Sequence, residues 1–155
     1  MGTESERPAR ALTEQGIREF VAAWYRALDV HVPLQEAYSF LTERGLRMDF
    51  PDGAIRDFPT FKTWYERVTN LFFDENHYVQ TVDSKIEGDL ATVNILVGWQ
   101  ASFWQAPEAK SRRTSMDATQ RWTIRPSSRN TYGLEIVTYQ AMVEPFRYAP
   151  GFARL

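Results

Sequence analysis

His77 is one of two histidines in the chain and sits in the segment Asp74-Glu75-Asn76-His77-Tyr78, with two carboxylates just upstream and aromatic residues nearby. An imidazole that a carboxylate holds in one tautomer can accept and return a proton, which is the task of a general acid/base. The same histidine can equally be a half-buried group bonded to backbone, and both readings stay open at this point. His31 has no carboxylate at helical spacing toward a second ligand and lies far from His77 in sequence, so no metal site is expected. A chain without cysteine has no disulfide, no thiolate metal site and no cysteine nucleophile.

The elements that must position His77 are legible from periodicity. Phe61, Trp64, Tyr65, Val68 and Phe72 recur at helical spacing, whereas Tyr78, Val82 and Ile86 fall on alternate or near-alternate positions ahead of a Gly88-Asp89 turn. The spacing predicts a helix running to about Phe73 and a strand from Tyr78, with His77 at the handover. Upstream, Thr13 is the expected N-cap of a first helix whose stripe is Ile17, Phe20, Val21, Trp24 and Leu28, ending between Asp29 and Val32. Pro33 opens a second helix that Gly45 closes, short strands flank the turn Pro51-Asp52-Gly53, and Asp57 caps the third helix.

Downstream, the segments Tyr78 to Glu87, Leu90 to Phe103, Thr114 to Ile124 and Leu134 to Val143 read as strands joined by connections short enough for antiparallel neighbours. The second of these would extend about 45 Å if straight, so it must bend, and Gly98 is the expected bulge. The expected fold class is α+β: three N-terminal helices packed on a strongly curved, mainly antiparallel sheet that forms a cone with an internal pocket. Residues 1–11 read as a mobile tail, 12–144 as the cone domain and 145–155 as a C-terminal tail packed on the domain or on a dimer partner.

Composition narrows the classes. A chain of 155 residues is one domain's worth, and with 25% charged residues and net charge −2 it has no basic stripe for nucleic acid. The N-terminus lacks an apolar signal core and no apolar run reaches membrane-spanning length, so a soluble, cytoplasmic protein with no membrane partner is expected. Aromatic residues make up 14% of the chain, enough to line a cavity as well as fill a core. Trp24, Tyr25, Phe50, Trp64, Tyr65, Val68 and Trp99 are the expected wall of the pocket and its substrate-binding residues. On alternation, Asp49 is expected to face outward, as is Asp117 beside Arg121, opposite a face made of Met116, Ala118, Trp122 and Ile124.

The stretches WYRALD at 24–29, LRMDFPDG at 46–53, FKTWYERV at 61–68 and NHYVQTVDSKIEGDLATV at 76–93 together resemble the SnoaL-like branch of the nuclear transport factor 2-like superfamily. The resemblance spans roughly Leu12 to Val143. It implies a conical pocket for a small cyclic or aromatic molecule, a homodimer, and lyase or isomerase chemistry by proton transfer that needs no cofactor, as in polyketide cyclases. NHYVQ is similar to the segment that carries one catalytic histidine in scytalone dehydratase, which implies a catalytic His77.

The same comparison implies that Asp29 orients that histidine. A carboxylate at the negative end of a helix dipole needs either solvation or a compensating partner, and the sequence does not choose between them. Where the dehydratase has a second histidine, this chain has Trp99 to Ser102, and its two tyrosines correspond most nearly to Leu28 and Phe50, so that enzyme's water-activating groups are missing. The competing expectation is a non-catalytic ligand-binding or structural subunit, like the small subunits of ring-hydroxylating dioxygenases. It would assemble through an outward face carrying Asp117, Thr119, Arg121, Glu135 and Tyr139.

Overall fold

The computed structural model describes residues 12–155. The proposed N-terminal tail, 1–11, lies outside the described residues. Helix α1 (Glu14–Asp29) starts where Thr13 Oγ1 accepts the Gly16 N–H at 3.0 Å, and it buries Ile17, Phe20, Val21 and Trp24. Helix α2 (Leu34–Tyr38) is shorter than its sequence span suggested. Its chain leaves the helix so that Leu41 can bridge to Ile136, and Gly45, at φ 75°, closes a turn instead of the helix. Strands β1 (Arg47–Phe50) and β2 (Gly53–Ile55) form the short hairpin, and Asp57 caps α3 (Phe58–Leu71) by accepting the Thr60 N–H and hydroxyl at 2.9 and 2.6 Å.

The remaining strands are β3 (Phe72–Glu87), β4 (Leu90–Phe103), β5 (Arg112–Pro126), β6 (Leu134–Gln140) and β7 (Arg147–Tyr148). They join one sheet in the order β2-β1-β6-β5-β4-β3, antiparallel except for the β1–β6 pair, with β7 lying on the free stretch of β5. This is the α+β layout of helices on a curled, mainly antiparallel sheet. The third helix stops two residues earlier than expected. Phe72 is already extended and pairs with Phe103, so the strand begins before His77 and the histidine lies inside it.

The bends are not at Gly98. Strand β4 runs unbroken against β5, and the register slips instead on β3, between Phe73 and Asn76 and between Val79 and Thr81. Each extra residue inverts the alternation. The inward set on β3 is therefore Phe72, then Glu75, His77 and Val79, then Val82 and Ser84, while Tyr78 points out. Gly98 has a different role: a Cβ there would lie 2.2 Å from Tyr78 Cζ, so its bare backbone makes room for that ring.

A third slip, at Thr123/Ile124 against β6, brings Ile136 and Tyr139 to the same inner face. Tyr139 is consequently buried in the core, and Glu135 is buried beside Arg125 at 2.8 Å, contrary to the expected outward pair.

The core is largely aromatic. Trp24 meets Phe40, Phe61, Trp122 and Tyr139 at centroid distances of 5.7 to 6.4 Å, mostly edge-on. Two phenols are sunk in it: Tyr25 donates to Gln120 Oε1 at 2.6 Å, and Tyr139 accepts from Trp24 Nε1 at 3.3 Å. Burial pushes Tyr25 well above the ordinary phenol value of 10.0 and Tyr139 up to about 12.

In the unfolded chain these phenols ionise near 10.0, whereas the folded chain keeps them protonated, so stability is whole below that pH and is lost as pH rises toward about 12. Thermal denaturation across that range should show the midpoint falling, and Tyr139→Phe should flatten the fall. Gly98→Ala should destabilise by about 1 kcal/mol through its clash with Tyr78. In a Tyr78→Ala background the same change should be neutral or stabilising, as denaturant midpoints will read out.

Candidate active site

Asp29 is the last residue of α1, and its carboxylate is spent on His77. Oδ1 lies 2.6 Å from His77 Nδ1, and Oδ2 accepts the His77 backbone N–H at 2.9 Å. One acid thus holds both the strand and the ring. This is the compensating partner that the helix dipole required, in place of solvation. It also selects the tautomer with the proton on Nδ1, which leaves the Nε2 lone pair free. Nε2 makes no hydrogen bond among the described residues. The two side chains are only 11% and 16% exposed, and the imidazole is stacked with Tyr25 at 4.9 Å and with Trp99 at 6.0 Å.

Beside this pair, between α1 and β3, lies a cavity of about 400 Å³. Tyr25, Asp29, Glu75, His77 and Val79 line it, with Arg26 and Asn76 exposed among its lining residues. The expected wall is mostly elsewhere. Trp24 is fully buried in the core, Phe50 stacks on Trp64 at 4.6 Å, and Tyr65 donates to the Val32 carbonyl at 2.6 Å. Val68 is half-buried on α3 and Trp99 reaches the site only through His77 and Glu75. Of the seven, only Tyr25 borders the cavity. Large rings at helical spacing pack against one another and fill the cone, so the open volume is displaced to the α1–β3 cleft.

Two contacts at the site were not expected from the sequence. Glu75 accepts from Trp99 Nε1 at 3.1 Å and sits 2.5 Å from His31 Nε2, so the carboxylate expected to serve His77 serves the other histidine. Glu75 also contributes, after burial, to pushing the Tyr65 phenol up to about 12. Arg113 clamps the bulge from the outer face: it donates to the Asp74 carbonyl at 3.1 Å and to Ser102 Oγ at 2.9 Å. Asp74 stands at φ 53°, in the left-handed region that aspartate enters more readily than most non-glycine residues. The carboxylates beside His77 in the chain pointed to the wrong acid, whereas the resemblance implied Asp29, the acid that meets the ring.

Asp49 does face outward, paired with Arg56 at 2.8 Å. Asp117 is also outward, but it accepts from Gln80, while Arg121 donates to Asn94 instead. Among the described residues no cluster of three or more His, Asp or Glu is placed to hold a metal ion, and no helix is long and apolar enough to cross a membrane.

No family model and no curated protein matches the chain. Solved structures do. A candidate scytalone dehydratase from Novosphingobium aromaticivorans superposes with TM-score 0.72 at 11% identity, over 95% of this chain and 91% of its own. The hexachlorocyclohexane dehydrochlorinase LinA-type3 from Novosphingobium barchaimii gives 0.71 at 9% identity, over 95% and 97%. A nuclear transport factor 2-like superfamily protein from Salmonella enterica gives 0.67 at 12% identity, over 90% and 96%. This likeness shows the fold: the chain has the nuclear transport factor 2-like architecture.

Replacing Asp29 by Asn should release the imidazole from its single tautomer, which nitrogen-15 spectra of the histidine ring will register. Asp29→Ala should cost about 2 kcal/mol, because a partly buried backbone N–H loses its acceptor.

Proposed function

We propose that the chain binds a small, largely apolar cyclic or aromatic molecule in the α1–β3 cavity and catalyses a cofactor-free proton transfer there. His77 is the general acid/base and Asp29 orients it. The observation that carries this reading is the two-point Asp29–His77 clasp, which leaves Nε2 as the unengaged nitrogen of a ring bordering the cavity. A base that attacks a C–H bond needs a fixed lone pair beside the substrate, and a ring held at both backbone and Nδ1 loses little freedom when it acts. Ala22, Val30 and Val79 give the cavity apolar surface for a hydrocarbon ring.

Isomerisation, cyclisation and elimination all begin with such a proton abstraction. Two structures of this fold carry the names dehydratase and dehydrochlorinase, which denote loss of water and of hydrogen chloride. The reading also includes a homodimer through the outward sheet face, where Tyr78 stands 42% exposed, and a monomer mass from light scattering would remove that part.

His77→Gln should lower turnover by about 10²- to 10⁴-fold across a panel of cyclic enolisable ketones and β-substituted ketones. Unchanged rates would leave a ligand-binding or structural subunit in place of an enzyme.

A further inference from the structure

Glu75, which borders the same cavity, forms a second histidine–carboxylate pair with His31. After the bulge at Asp74, Glu75 and His77 lie two residues apart on β3, so both side chains leave the same face of the strand. Both border the cavity. The Glu75 side chain is 9% exposed, whereas His31, 2.5 Å away, is 28% exposed and sits just past the end of α1. Trp99 ties the two pairs together, donating to Glu75 Oε1 at 3.1 Å while its ring stacks with His77. A carboxylate has about four lone-pair positions, so two partners leave Glu75 capacity toward the cavity. His77 and its acid form a closed unit, whereas Glu75 and its histidine run from the cavity to solvent.

We propose that Glu75 is the proton donor to a leaving group in this cavity and that His31 resupplies it from solvent. This rests on the reading of His77 as the base. His77 Nε2 takes the α-proton, the C–H electron pair becomes the new C=C bond, and the C–O bond breaks with its pair going to oxygen. That oxygen takes the proton shared by Glu75 Oε2 and His31 Nε2 and leaves as water. His77 then returns its proton to solvent while His31 takes one up, and both pairs are restored. His31 does not touch the substrate and acts through Glu75.

The test compares a cyclic β-hydroxyketone with its β-acetoxy counterpart, since acetate departs without being protonated. Glu75→Gln keeps an acceptor for Trp99 but has no proton to give, and it should slow loss of water at least about 100-fold while changing loss of acetate less than about threefold. His31→Gln keeps a donor toward Glu75 but cannot relay, and it should share the selective loss. Equal slowing of both substrates by Glu75→Gln, or none, overturns the donor; an unchanged His31→Gln overturns the relay.

Failure of the base is separate: His77→Gln would then leave both eliminations at the wild-type rate. Should the wild type eliminate neither leaving group, titration with cyclohexenone decides by spectroscopy, because the chain has two histidines whose ring signals can be told apart. Shifts at both rings, with that at His31 abolished by Glu75→Gln, place Glu75 at the ligand. A shift at His77 alone overturns the proposal, and a shift at neither overturns it together with the reading it rests on.

Discussion

One extra residue in one strand decides the chemistry of this molecule. A strand presents alternate side chains to alternate faces, so an insertion inverts everything after it. The bulge between Phe73 and Asn76 turns Glu75, His77 and Val79 inward and leaves Asp74 and Tyr78 outside. It is held against relaxation from the outer face, where Arg113 grips the Asp74 carbonyl and the neighbouring strand at Ser102. Without the slip, Asp74, Asn76 and Tyr78 would occupy the cavity side, and no imidazole would lie there.

The helix end completes what the bulge begins. A carboxylate at the C-terminus of α1 adds to the partial negative charge of the exposed carbonyls, so Asp29 is costly there on its own. It is offset by two donors from β3, the backbone N–H and the ring Nδ1 of the same residue. The geometry is mutual: the strand fixes the acid, and the acid fixes the strand, the ring plane and the tautomer. His31, at φ 55° just beyond the helix, reaches Glu75 from the same corner, so the α1 terminus supplies one partner to each titratable side chain that the bulge turns inward.

Aromatic packing explains why the cavity is where it is. The cone beneath the helices is not empty, because Trp24, Phe40, Phe61, Trp122 and Tyr139 meet edge-to-face and fill it at interior density. The polar ends of those rings are satisfied among themselves or by Gln120. What stays open is the cleft at the rim, where charged and polar groups on both walls alternate with Ala22, Val30 and Val79. The fold's interior therefore supplies rigidity, and the site lies against it.

The amino-acid sequence by itself determined the features that depend on neighbours in the chain. The caps at Thr13 and Asp57, the buried stripe of α1, the strand-and-turn succession after His77 and the inward face of Met116, Ala118, Trp122 and Ile124 all follow from local propensity and period. The α+β class follows from their order. Only the tertiary structure decided the parity of β3 and β6, because a bulge is defined by the partner strand and leaves no compositional mark. Even Gly98, the residue most suggestive of one, serves a ring across the sheet. Spacing in the chain could not choose which acid meets which histidine; only the resemblance implied Asp29 for His77. The two pairs join residues 48 and 44 positions apart, and the carboxylates next to His77 in the chain face away from it or toward His31. Periodicity reports how a segment meets a surface, whereas a proton-transfer site depends on which two surfaces meet.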